Sequence, residues 1–177
     1  DAKLGRTLRL IASDLRARDA ALAGSGMAEV PNHAGTAVVL HRLARWLALN
    51  GLRLGARALW QLNLVVTKAD LPPTTRLGPG FVATHSVGLI VLGEAGRDVT
   101  MHAWAAMGLR GRRNVGAGPG LPKVGEGTVF GVRAAMHGGL RCPDHARLPA
   151  HALVVSERQL TSPGAGAKTD APMENAL

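Results

Sequence analysis

The chain has 177 residues, 46% of them apolar, enough for one domain with a hydrophobic core plus an appendage but not for two full-sized domains. Its single cysteine, Cys142, excludes an intrachain disulfide and a thiolate metal cluster, and so points to a cytoplasmic setting. Twenty-three glycines, no tyrosine and only 3% aromatic residues leave a core without its usual bulky rings, while a formal charge of +9 would suit nucleic acid, an anionic membrane surface, a phosphate-rich ligand or simply a solvated arginine-rich surface.

Residues 1–12 mix charged and apolar side chains without the basic-then-apolar order of a signal peptide, and no apolar stretch approaches the length of a bilayer span, so a soluble protein is expected. Three amphipathic helices come first. Over residues 4–22, Leu4, Leu8, Ile11, Leu15 and Leu22 fall close to one helical face. A break at Gly24, Gly26 and Pro31 leads to a second helix from Ala37, carrying Val38, Leu40, Leu43, Trp46 and Leu47 and ending near Asn50 and Gly51. A third runs from Leu52 towards Leu64; its Arg53 and Arg57, with Arg45, form a basic side that could touch anionic lipid, though packing against the next segment is the preferred use.

After Asp70 the period becomes six. Leu71, Leu77, Ala83, Leu89, Ala95, Met101 and Met107 are spaced by six residues, and after a Gly- and Arg-rich stretch the period resumes at Val124, Phe130, Met136, Cys142, Leu148 and Val154. Two places before anchors of the second run stand Thr128, Ala134, Leu140, Ala146 and Ala152, mostly small, and Gly125 and Gly131 follow anchors. Three six-residue sides closing into a triangular coil would bury one aliphatic residue per side, which accounts for a core without aromatic rings. The chain is therefore read as a short N-terminal helical domain over residues 1–69, a mainly β domain of stacked parallel coils over 70–156 interrupted by a loop at 108–123, and a flexible tail over 157–177.

The segments IASDLRARDAAL, HRLARWLALNGLRLGARAL, ADLPPTTRLGPGFVATHSVGLIVLGEAG and LPKVGEGTVFGVRAAMHGGL resemble the hexapeptide-repeat acyltransferases, in particular the serine O-acetyltransferase-like branch. The resemblance implies a left-handed parallel β-helix, a hand no spacing argument supplies, since parallel crossovers are otherwise almost always right-handed. It also implies a catalytic dyad. The histidine of a His-x-x-Gly segment leading into Gly-Glu is His85, and the aspartate fifteen residues earlier is Asp70. A neutral imidazole can take the proton from an attacking hydroxyl and return it to the departing thiolate, with a carboxylate fixing its tautomer.

The resemblance further implies acetyl-CoA as co-substrate, without a metal, and a homotrimer with its sites between neighbouring β-helices. Gly108, Lys123, Gly131, Val132 and Ala150 are the expected track for the cofactor, and Thr84, Glu94, Leu121 and Arg112 are expected around the acceptor. Several charged groups of the serine enzymes are missing: the positions of an aspartate, an arginine and a second histidine hold Thr84, Gly120 and Leu121. A neutral or apolar hydroxylated acceptor is therefore expected in place of serine. Arg110, Arg112 and Arg113 either hold an anion or line a solvated loop. His33, His41, His102, His137, His145 and His151 are read as structural, and no nucleic-acid partner is expected. The competing reading is a degenerate β-helix that serves as an interaction or scaffold protein.

Overall fold

The computed structural model describes residues 4–23, 32–109 and 120–161. Three helices, α1 (Leu4–Ala21), α2 (His33–Leu49) and α3 (Arg53–Thr67), precede twelve short strands. Helix α2 starts before the expected Ala37 because the side chain of Asn32 accepts a hydrogen bond from the backbone N–H of Gly35 at 2.8 Å, capping the first turn. Helix α3 stops where Lys68 takes a left-handed conformation, with φ of 62°.

The strands form three parallel sheets. β1 (Arg76–Leu77), β4 (Glu94–Ala95), β7 (Lys123–Val124) and β10 (Arg141–Cys142) make one; β2 (Val82–Ala83), β5 (Thr100–Met101), β8 (Val129–Phe130) and β11 (Arg147–Leu148) the second. The third contains β3 (Ile90–Val91), β6 (Ala106–Gly108), β9 (Ala135–His137) and β12 (Leu153–Val154). Chain order visits the sheets in rotation, and each strand pairs with the one three places on, so the chain winds as a three-sided coil.

All thirteen six-spaced anchors are buried, none more than 7% exposed. Fully burying a Leu, Met or Phe side chain stabilises by about 1.5–3 kcal/mol, so a column of such residues supplies the driving force that tyrosines and tryptophans supply elsewhere. One coil departs from the even count. Ala83 to Val91 takes eight residues and Val91 to Ala95 only four, while Leu77 still pairs with Ala95 eighteen residues on. Val91, not the anticipated Leu89, is the inward residue of β3, and Leu89 is buried in the corner before it. Two surplus residues therefore bulge out over 84–88, and the shortage is made up at Leu92 and Gly93. A Cβ on Gly93, whose φ is 134°, would lie 2.4 Å from the carbonyl oxygen of Pro122, so this tight corner requires glycine.

A second departure follows β6. Ala106 pairs with Ala135, 29 residues on instead of 18, so the loop between β6 and β7 adds eleven residues. Its centre, residues 110–119, lies outside the described residues, as do the expected breaks at Gly24, Gly26 and Pro31 and the terminal stretch 162–177. Within the segment assigned to the tail, α4 (Arg158–Thr161) forms one helical turn, with the Gln159 side chain bound to the backbone N–H groups of Val155 and Ser156.

Helices and coils are joined by buried polar contacts. Arg42 on α2 forms a two-pronged ion pair with Asp14 on α1, at 2.8 and 3.1 Å, and donates to the carbonyls of Leu77 and Gly78, both at 2.6 Å. Asp14 also accepts from the backbone N–H of Phe81 at 3.1 Å. These two residues had the look of surface charges in the sequence, yet they tie α1, α2 and the first coil into one unit. Beside them, Nδ1 of His41 contacts the carbonyl of Leu71 at 3.1 Å, and full burial holds its pKa down to about 3, so the ring is neutral and donates there. Among the described residues no helix is long and apolar enough to cross a membrane.

Candidate active site

The corner between the β2 and β3 sheets repeats in every coil, and backbone hydrogen bonds stack these corners into a column. Gly88 donates to Lys68, Trp104 to Val87, Arg133 to Ala103 and His151 to Val132, at 2.8 to 3.1 Å. Each corner turns on a left-handed residue: Gly88, Trp104, Arg133 and His151 have φ of 69°, 62°, 58° and 63°. A Cβ on Gly88 would meet the Trp104 ring at 2.2 Å, so the first of these corners can only be glycine.

His85 sits on the bulge at the top of this column and is exposed. Asp70 lies beside the same corner. It bridges to Ile90, accepting from Val91 and donating to Leu89, while Gly88 binds the carbonyl of Lys68 two residues before it. A uniform eighteen-residue coil would have set Asp70 opposite Gly88; the bulge shifts its partner to Ile90 and lets the chain through His85 swing outward. The Asp70 carboxylate is oriented from the helical segment, because the indole N–H of Trp60 donates to its Oδ1 at 2.9 Å. That leaves the second carboxylate oxygen for another donor.

Next to His85, the Thr84 hydroxyl lies 3.2 Å from Nδ1 of His102, one coil further along. Sequence reasoning set His102 aside as structural, although its spacing of eighteen residues from Thr84 could have marked it as the residue stacked there. Trp60 was missed because nothing in the spacing of a helical residue from Asp70 reveals a cross-element contact.

Gly131, Val132 and Ala150 stand in the same column, two and three coils below His85. Val132 is exposed, and a Cβ on Gly131 would meet the backbone N of Ala150 at 2.6 Å, so glycine here lets the two coils close against each other. The remaining candidates gather elsewhere. Glu94 on β4 pairs with Arg76 at 3.3 Å and with Lys123 at 3.4 Å on the outer face of the β1 sheet, so an expected acceptor residue and an expected cofactor residue are partners of each other. Gly108 ends β6, at the vertex that follows the strands of the β3 sheet, against Leu92. Leu121 is buried, 3% exposed, and offers no side chain to solvent in the single chain. Arg112 lies outside the described residues.

Three parallel sheets wound as a three-sided coil, with a helical segment at one end, define a hexapeptide-repeat β-helix protein. No family model matches the chain. It is 31% identical over 134 residues to the serine acetyltransferase of Helicobacter pylori, covering 75% of this chain and 77% of that protein. To the serine acetyltransferase of Mycobacterium tuberculosis it is 34% identical over 117 residues, 65% of this chain and 50% of that protein. The crystal structure of the serine acetyltransferase of Neisseria gonorrhoeae superposes with a TM-score of 0.76 at 26% identity, covering 88% of this chain and 61% of that one. The chain belongs to the serine acetyltransferase family, and its coil is the left-handed parallel β-helix. It spans half the length of the mycobacterial relative and about three fifths of the Neisseria chain.

Proposed function

We propose that the chain is an acetyl-CoA-dependent O-acetyltransferase that acetylates a hydroxyl of a small metabolite other than serine. The observation that carries the reading is His85 on an open, bulged corner beside Asp70, with the Asp70 carboxylate held by Trp60. His85 takes the proton of the acceptor hydroxyl as its oxygen attacks the thioester carbonyl; the carbon–sulfur bond breaks, and the thiolate leaves with the proton returned by His85. Asp70 steadies the imidazolium that forms in between. The column at Gly131, Val132 and Ala150 is the proposed path of the pantetheine arm.

The acceptor is proposed to differ from serine because Thr84, beside His85, is neutral and engages His102, where the serine enzymes carry a carboxylate able to hold an ammonium group. Losing such a partner from a desolvated contact costs about 2–5 kcal/mol. Residues at the two vertices that flank the β3 sheet are not gathered by one chain: the His85 column stands at the vertex before its strands, Gly108 at the vertex after them and Lys123 beyond it. This supports a homotrimer in which the Lys123 side of one copy completes the His85 side of the next. With one buried cysteine, Cys142, and therefore no intrachain disulfide, a cytoplasmic setting is the proposed one.

The test is transfer of labelled acetyl from acetyl-CoA to a panel of hydroxyl acceptors that includes serine, with His85→Asn beside the wild type. The expected result is transfer to a neutral acceptor, reduced by ~10²–10⁴-fold in the variant. No transfer to any acceptor, together with no heat of coenzyme A binding, would leave the non-catalytic interaction protein as the reading.

A further inference from the structure

Away from the His85 column, a cleft of about 430 Å³ opens between α1, α2 and the first coil. Arg6, Arg42, Arg45 and Arg76 converge on it, with Trp46 and Leu10 supplying an apolar wall. The four guanidinium groups are not equivalent. Arg42 is fully used, by the Asp14 carboxylate and two backbone carbonyls. Arg76 is held by Glu94 only at an exposed 3.3 Å contact, which is weak and easily exchanged. Arg45 donates to the backbone carbonyl of Pro73 at 2.9 Å, and among the described residues neither it nor Arg6 has a carboxylate within ion-pair distance.

Two of these four like charges, Arg6 and Arg45, have no carboxylate partner among the described residues, and gathering them beside Arg42 and Arg76 is a cost to the fold. Partial burial, and then the charges of Arg76, Arg42 and Arg6, lower the pKa of Arg45 from its ordinary value. A solvated basic face would spread such side chains apart, whereas here helix packing and the Arg42 anchor hold them around a concave space. That space is several times what a bare tetrahedral oxyanion fills, and its far wall is an indole and a leucine. Guanidinium forks match the geometry of phosphate oxygens, and an aromatic wall takes the apolar body of a ligand.

We propose that this cleft binds a small phosphate monoester, its phosphate held by Arg6, Arg45 and Arg76 and its apolar body lying on Trp46 and Leu10. The site is separate from the His85 column and does not rest on the acyl-transfer reading. Occupation would pin α1 and α2 to β1 and would compete with Glu94 for Arg76.

Calorimetry on the full chain with phenyl phosphate and with inorganic phosphate tests it. Phenyl phosphate is expected to bind, and to bind more tightly than inorganic phosphate. Arg6→Gln combined with Arg76→Gln should weaken it by about tenfold or more, as expected for losing charge-assisted contacts. Arg57→Gln, which removes an equal charge from exposed α3, should change little, and His85→Asn should bind as the wild type does whether or not acetyl transfer is observed. Absence of binding, equal affinity for the two probes, or an equal loss in Arg57→Gln would each overturn the proposal.

Discussion

The indole N–H of Trp60 on α3 donates to Oδ1 of Asp70 at 2.9 Å, so a helix positions the carboxylate that stands at the entrance to the β-helix. Trp60→Phe keeps an aromatic ring, though a smaller one, and removes the donor. The lost hydrogen bond should cost about 1 kcal/mol in stability. If Asp70 orients His85, kcat for acetyl transfer should also fall about tenfold with KM for acetyl-CoA little changed, the pattern of an interaction that matters in the transition state. An unchanged kcat would show that Trp60 serves the fold alone.

Thr84 reports on acceptor choice. Thr84→Asp places a carboxylate beside His85 and within reach of His102, given the present 3.2 Å separation of Thr84 and His102. Activity towards serine is expected to rise relative to neutral acceptors, measured as the ratio of kcat/KM values. A ratio that stays constant would mean that selection lies elsewhere, for instance in the neighbouring copy.

His41 gives the fold a pH dependence. Its pKa is about 3 in the folded chain against 6.5 as an ordinary histidine, so between these values the unfolded chain binds the extra proton. The contribution is complete above pH 6.5 and is lost as pH falls towards 3, with a slope of up to about 1.4 kcal/mol per pH unit. His41→Gln can still donate to Leu71 but does not titrate. Denaturant unfolding from pH 7 to pH 4.5 should show a shallower decline for this variant than for the wild type.

Gly88→Ala addresses the corner itself. The added methyl group would collide with Trp104 and would force a left-handed alanine, since φ is 69°. A left-handed non-glycine residue costs about 1–2 kcal/mol before any collision, and relief by moving Trp104 would displace the bulge that carries His85. Lower unfolding midpoints and a fall in activity are both expected; a variant as stable and active as the wild type would show that the corner is softer than its packing implies.

The β-helix was legible because one physical demand, an inward apolar residue on every side, repeats along the chain without regard to neighbours. Leu89 shows the limit of that reading. It keeps the six-residue beat and is buried, yet the strand lies two residues later at Val91, because a count of hydrophobic residues cannot tell a corner from a side. His85 and Asp70 were reached through resemblance to a family. Trp60 was not, since its contact depends on which faces meet between a helix and a coil, whereas the Thr84–His102 contact follows the eighteen-residue stacking of neighbouring coils. Asp14 and Arg42 were hidden for the opposite reason: a charged pair on amphipathic helices has the pattern of a wet surface, and only the fold shows it sealed inside.

Stacked coils of equal length act as a ruler, and residues that keep step with it are committed to holding up their neighbours. Chain length can change only at the vertices, where an extra residue projects outward and leaves every rung in place. Three vertices break step, residues 84–88, Leu92–Gly93 and the stretch between β6 and β7, and candidate residues stand on the first and flank the last. Variation confined to those vertices could therefore give the same mast a new acceptor while its rungs, and the stability they carry, stay untouched.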